Sequence, residues 1–269
     1  MPFSNQNIFE LTQKQAYFFD LDGTIYLGNK LFKGVLELIQ VLKRKNKMFF
    51  FLSNNSSIST KDYLKKLNNY KLNITIDNII LSQHPTIDYL KKNKFKKIFL
   101  LGTQSLKEEF KQEGFELTEE NPEIIVLAFD KELTYDRLVK TTEFLFRMDF
   151  PYIATHLDDR CPTENGYIPD AGGIAALLNK TTKRLPRVFG KPNKEMLLFK
   201  LNEIGVSPKD AVMFGDRIYT DIKMGIGAGV TTCCVLSGES TIEMLEESSD
   251  KPDFVLDGIW VLLKEFNKI

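Results

Sequence analysis

The chain has 269 residues, with 36 Lys+Arg against 36 Asp+Glu, so its formal net charge is +0. A neutral chain lacks the basic excess of a general nucleic-acid binder and the polybasic run of a membrane-surface anchor. With 43% hydrophobic and 27% charged residues it is not a disordered chain, and it is long enough to bury a sizeable core.

At ~150 residues per domain the length corresponds to about two domains. The stretch 1–15 shows no basic segment followed by an apolar run, so no signal peptide is expected. Strand-like runs follow at 16–19, 48–52, 98–101, 124–129, 152–155, 211–214, 231–236 and 254–256. Most are continuously apolar, as in strands of a parallel sheet covered on both faces. Helical patterns lie between them, at 35–43, 60–68, 106–113, 135–147, 194–204 and 242–247. Alternation of this kind predicts an α/β fold with right-handed crossovers.

Three Pro- and Gly-marked points read as hinges: Gln83-His84-Pro85, Leu185-Pro186 and Gly190-Lys191-Pro192. They bracket an insert of about a hundred residues, the size of a small domain. The expected organisation is a discontinuous core, 1–83 plus 186–269, carrying an inserted domain, 84–185. The apolar runs fall far short of the ~20 residues a spanning helix needs. The cysteines Cys161, Cys233 and Cys234 form no CxxC and no disulfide framework. A soluble cytoplasmic protein, with neither membrane nor nucleic acid as partner, is the expectation.

Chemistry gathers where apolar strands end, the edge at which open α/β sheets bind ligands. The first strand ends Asp20-Leu21-Asp22-Gly23-Thr24. Two carboxylates so close repel each other unless a cation or a shared proton intervenes. The loop is not an EF-hand, because no Glu closes a twelve-residue loop. The second strand ends Ser53-Asn54-Asn55, whose hydroxyl, amide and backbone N–H groups suit phosphate oxygens. Lys191, at a strand-to-helix junction, can act as a point charge on phosphate. A further buried-type strand ends Gly215-Asp216, with Asp221 five residues on. Asp216 could join Asp20 and Asp22 around a hard cation such as Mg²⁺. Asp221 is read either as a helix cap or as support for that metal shell.

Taken in order, DxDGT, strand-Ser-Asn-Asn, Gly-Lys-Pro and strand-Gly-Asp-x-x-x-x-Asp resemble the haloacid dehalogenase (HAD) superfamily of phosphohydrolases. The insert, with Ala154-Thr155-His156-Leu157-Asp158, Cys161-Pro162 and Asp170-Ala171-Gly172-Gly173, is similar to the class IIA (C2) cap of the NagD and p-nitrophenylphosphatase-like group. The resemblance implies a Rossmann-like, doubly wound parallel-sheet core with an inserted α/β cap. It implies Asp20 as nucleophile and Asp22 as general acid/base. It also implies Mg²⁺ held by Asp20, the Asp22 backbone carbonyl and Asp216, with Asp221 orienting the metal shell. Ser53, Asn54 and Lys191 would bind the phosphoryl group. By position in the cap motif, His156 and Cys161 would face the substrate. The implied activity is a Mg²⁺-dependent phosphatase of small phosphorylated metabolites, and relatives that dimerise through the cap imply a candidate homodimer. A phosphometabolite-binding regulator and a phosphotransferase using the same aspartyl-phosphate are the competing readings.

Overall fold

The computed structural model describes residues 7–147, 149–163 and 166–269, so the start of the segment read for a leader lies outside it. The chain forms two compact units. The first comprises the residues through Ser53 together with Leu64–Ile80 and Lys191–Ile269. The second comprises Asn54–Tyr63 and Leu81–Gly190. Residues 54–63, 81–83 and 186–190 therefore group with the second unit.

The first unit is built on a six-stranded sheet. Its strand order is Phe254–Leu256, Thr231–Val235, Ala211–Gly215, Ala16–Asp20, Met48–Ser53 and Ile79–Leu81. The first five pair in parallel, with Phe19 opposite both Phe214 and Phe51. The continuous apolar runs are explained by cover on both faces. On one face Phe18 and Phe50 stack at 5.1 Å and pack with Met196, Leu197 and Met213. On the other, Phe19 stacks on Phe214 at 5.0 Å, and Tyr17 meets Phe266 of the helix Trp260–Phe266. The helix Val35–Arg44 buries Val35, Leu38, Ile39 and Leu42, one stripe at helical spacing.

The topology positions the chemistry. From Ala16–Asp20 the chain builds outward on one side through Met48–Ser53, and on the other through Ala211–Gly215. Strand order thus reverses at the central strand, the point where such sheets bind ligands. Parallel register brings the carboxyl ends of these three strands, with Asp20, Ser53 and Gly215-Asp216, to one edge.

The second unit holds a five-stranded parallel sheet in the order Arg187–Val188, Tyr152–Ala154, Ile124–Leu127, Lys97–Leu101 and Glu116–Leu117. One face packs Leu100, Leu106 and Phe110, and the other packs Phe99, Phe144 and Leu178. An antiparallel pair, Arg160–Thr163 with Gly166–Pro169, accompanies it.

One expected hinge is a helix. Gln83-His84-Pro85 opens the helix Gln83–Lys92. Proline is tolerated in a first turn because the N–H groups there have no intrahelical partner. The glycine run 225–229 ends a helix. Lys223–Ala228 stops at Gly229, whose φ of 71° is left-handed. Among the described residues no helix is long and apolar enough to cross a membrane. Phe18→Ala should lower the unfolding free energy by about 3–5 kcal/mol. Urea denaturation followed by circular dichroism measures it, and a loss under about 1 kcal/mol would contradict this account of the core.

Candidate active site

Asp20 is the last residue of the central strand, and Lys191 meets it from the start of the 191–269 segment. The Lys191 side chain is only 4% exposed. Its ammonium donates to Asp20 Oδ1, and to Asp221 Oδ1 at 2.8 Å. Burial works against the Lys191 charge, but the two carboxylates overcome it and hold the pKa above its ordinary value. Asp221 does not cap a regular helix. It lies in a π-helical turn, Ile218–Ile222, and its Oδ2 accepts from the Arg217 N–H at 3.2 Å. Both of its oxygens are thereby engaged.

Asp216 follows the strand Ala211–Gly215 and is buried. Its Oδ2 accepts from the Glu239 N–H at 2.8 Å, and its backbone carbonyl from the Ser240 N–H at 3.0 Å. Two glycines let neighbouring backbone close on it. A Cβ on Gly23, where φ is +87°, would lie 2.2 Å from Asp216 Oδ2, and one on Gly238 would lie 2.0 Å away. Ser237 ties the two loops together by donating to the Gly23 carbonyl at 2.6 Å. Sequence reasoning missed this wrapping, and it missed Arg217. The Arg217 Nε pairs with Glu239 Oε2 at 3.0 Å, and Tyr219 donates to Glu239 Oε1 at 2.7 Å.

The charges do not balance. One oxygen each from Asp20, Asp216 and Asp221 lies within 4.8 Å of the others, all three residues are sequestered, and Lys191 directly pairs with two of them. Burial, then Asp20 and Asp221, push Asp216 up to about 8. Burial pushes Asp221 up to about 6 against the pull of Lys191. Asp20 is raised by burial, with Lys191 opposing. Asp216 Oδ1 is buried with no hydrogen-bond partner. A buried carboxyl oxygen without a partner, in a group of three acids that burial and one another hold from ionising together, fits a hard divalent cation, whose donors are oxygens.

Asp22 is exposed on the turn after Asp20, and its Oδ2 accepts from the Tyr26 hydroxyl at 3.2 Å. Ser53 ends its strand in the same unit and is buried.

The remaining sequence candidates belong to the second unit. Asn54 is buried, and its Nδ2 donates to Asp158 Oδ1 at 2.8 Å. His156 is fully buried. Its Nδ1 accepts from the Asp158 N–H at 3.3 Å, and its Nε2 lies 3.6 Å from Asp170 Oδ1. Burial opposes its charge, but Asp158 and Asp170 raise its pKa. Asp170 caps the helix Ala171–Thr182 and is pushed up to about 6 by burial, with His156 opposing. His156 thus joins a loop to a helix start inside its unit. Cys161 is half-buried in the strand Arg160–Thr163.

Residues 17–116 match the family described as haloacid dehalogenase-like hydrolase, and residues 188–262 match a HAD-hydrolase-like family. The chain is 34% identical over 244 residues to the sugar-phosphatase AraL of Bacillus subtilis, covering 89% of each chain. It is 41% identical to the solved 4-nitrophenylphosphatase of Thermotoga maritima, with a TM-score of 0.91, over 96% of this chain and 99% of that one. The chain belongs to the haloacid dehalogenase-like hydrolases. Within that family it groups with the NagD and p-nitrophenylphosphatase type, and it is an enzyme of the HAD phosphatase class. The 5'-nucleotidase YutF of Bacillus subtilis is a further relative, 26% identical over 92% of this chain and 97% of that one. NagD of E. coli, at 24% identity and a TM-score of 0.86, shares the fold.

The buried ion pairs of this HAD chain generate a stability prediction. Lys191→Met leaves buried carboxylates without their cation and should cost about 3–5 kcal/mol at neutral pH. Adding Asp221→Asn should restore part of the loss, because it removes one of the unpaired charges. Denaturant unfolding of the single and double variants measures both, and a double variant less stable than Lys191→Met alone would contradict the charge account.

Proposed function

We propose that this HAD chain is a Mg²⁺-dependent phosphatase of small phosphorylated metabolites that acts through an aspartyl-phosphate. The observation that carries the reading is the sequestered group of Asp20, Asp216 and Asp221 around Lys191 at the carboxyl ends of parallel strands. Asp20, the Asp22 backbone carbonyl and Asp216 would hold Mg²⁺, which when bound neutralises charge on a phosphate monoester. A monoester carries about two negative charges near neutral pH, so an attacking carboxylate needs such compensation. Lys191 adds its fixed positive charge, and Asp221 keeps that ammonium in position.

In this reading Asp20 attacks phosphorus in line, and the bond from phosphorus to the alcohol oxygen breaks. Asp22 gives its proton to the departing oxygen. It then takes a proton from water, whose oxygen attacks phosphorus and releases phosphate from Asp20. Ser53 and Asn54 would bind the phosphoryl oxygens. The second unit would serve as the cap expected at 84–185, with core segments at 1–83 and 186–269, and would read the leaving group through its 156–161 region. Sugar phosphates and nucleoside monophosphates are the proposed substrate classes, supported by the names of the sugar-phosphatase and nucleotidase relatives. A cytoplasmic setting and a homodimer through the cap belong to the same proposal.

Phosphate release from sugar phosphates, nucleoside monophosphates and p-nitrophenyl phosphate tests it, with Mg²⁺ and with chelator. Release should require the metal and vanish in Asp20→Asn. Asp22→Asn should lower kcat/KM on sugar phosphates by about 10²–10⁴-fold and on p-nitrophenyl phosphate far less, because nitrophenolate leaves without a proton. No release from any of these substrates would overturn the reading, and equal losses in Asp22→Asn would remove the acid role.

A further inference from the structure

Tyr26 is completely buried, yet its hydroxyl reaches an exposed carboxylate. Tyr26 Oη donates to Asp22 Oδ2 at 3.2 Å, and the Lys66 ammonium donates to the same Oη at 3.0 Å. The direction of this chain follows from chemistry. An ammonium has donors only, so Lys66 must use a lone pair of the tyrosine oxygen. The tyrosine proton then turns to the acceptor on the other side, Asp22. Donation by a cation also polarises the hydroxyl and strengthens its own donation.

The arrangement is held on several sides. The Tyr26 ring stacks on Tyr70 with centroids 5.7 Å apart, and Lys66 Nζ lies 4.7 Å from the Tyr26 centroid. The backbone closes the turn between the two partners, since the Gly23 N–H donates to the Tyr26 carbonyl at 2.8 Å. Asp22 and Tyr26 also form a β-bridge. A buried aromatic body with a fixed hydroxyl is therefore anchored to the loop whose carboxylate it engages.

A carboxylic acid has one carbonyl oxygen and one hydroxyl oxygen. A donor aimed at Oδ2 favours that atom as the carbonyl oxygen, which leaves Oδ1 as the atom bearing the proton. We propose that Tyr26, oriented by Lys66, is a positioning residue for proton transfer by Asp22. It holds Oδ2 and leaves Oδ1–H to face the leaving oxygen. As the phosphorus–oxygen bond breaks, its electron pair stays on the alcohol oxygen and the Oδ1 proton moves onto that oxygen. The inference deepens the function proposed above and rests on the acid role of Asp22.

Tyr26→Phe removes the hydroxyl and keeps the stacked ring. It should lower kcat/KM about tenfold on an alkyl phosphate such as glycerol phosphate, and less than about twofold on p-nitrophenyl phosphate. KM for both should change little. Lys66→Met should give the same split at about threefold, and it tests the chain even if Tyr26→Phe folds poorly. Equal losses on both substrates, or no loss on the alkyl phosphate, would overturn the proposal. Asp22→Asn separates the two failures. If Asp22→Asn distinguishes the substrates and Tyr26→Phe and Lys66→Met do not, the positioning role alone falls. If Asp22→Asn does not distinguish them, the acid role falls and takes this inference with it.

Discussion

A buried ammonium shared between two carboxylates organises the first unit. Lys191 would be costly to bury alone, and so would Asp20 or Asp221. Joined, they satisfy one another, with Lys191 donating to Asp20 Oδ1 and Asp221 Oδ1. The pairing ties together the end of the central strand, the start of the 191–269 segment and the π-helical turn 218–222. It still leaves acidic groups in excess, because Asp216 adds a third carboxyl group, held from ionising by burial and by Asp20 and Asp221, whose Oδ1 has no partner. Such an excess lowers stability unless something cationic completes it. A site of this kind sacrifices part of the stability of its fold to keep a strong field ready for a ligand.

Repelling carboxylates stay together only if the scaffold cannot yield. Here the scaffold is a parallel sheet with aromatic packing, Phe19 lying between Phe51 and Phe214. Loops then close on Asp216 so tightly that Gly23 and Gly238 have no room for a side chain. The second unit handles buried charge differently. Its fully buried His156 lies between Asp158 and Asp170, one imidazole beside two carboxyl groups, with Asn54 donating to Asp158. That group binds a loop to the start of a helix, a structural use of the same electrostatics.

The strand-end residues were legible because an apolar run fixes where the edge of a covered strand must be. Asp20, Ser53 and Asp216 each stand at or just past the end of such a run, so parallel pairing alone brings them to one edge. Lys191 was legible only in combination with them, since a lone lysine before a helix says little. Other features leave no periodic trace. The helix Gln83–Lys92 hides behind a proline that a first turn tolerates. The π-helical turn that directs Asp221 back to Lys191 and the Arg217 N–H has no signature in hydrophobic spacing. Tyr26 and Lys66 are forty positions apart and meet only through the packing of the fold.

The two carboxylates of the DxD motif are mounted in opposite ways, and their proposed tasks explain why. A nucleophile has one line of attack, and Asp20 sits on a central strand, paired on both sides and tied to Lys191. An acid that becomes a base must meet first an alcohol oxygen and then a water. Asp22 is accordingly exposed on a turn, beside a glycine whose φ of +87° bends the chain away from the sheet. An acid left wholly free would spend much of its time in unproductive rotamers, and orientation is a large part of catalytic advantage. The Tyr26 hydroxyl restrains one oxygen of Asp22 without burying the other. The rigid mounting of the attacking group comes from a strand and a charged partner, whereas the tethered mounting of the proton donor follows from two residues, Gly23 and Tyr26, that carry no charge themselves.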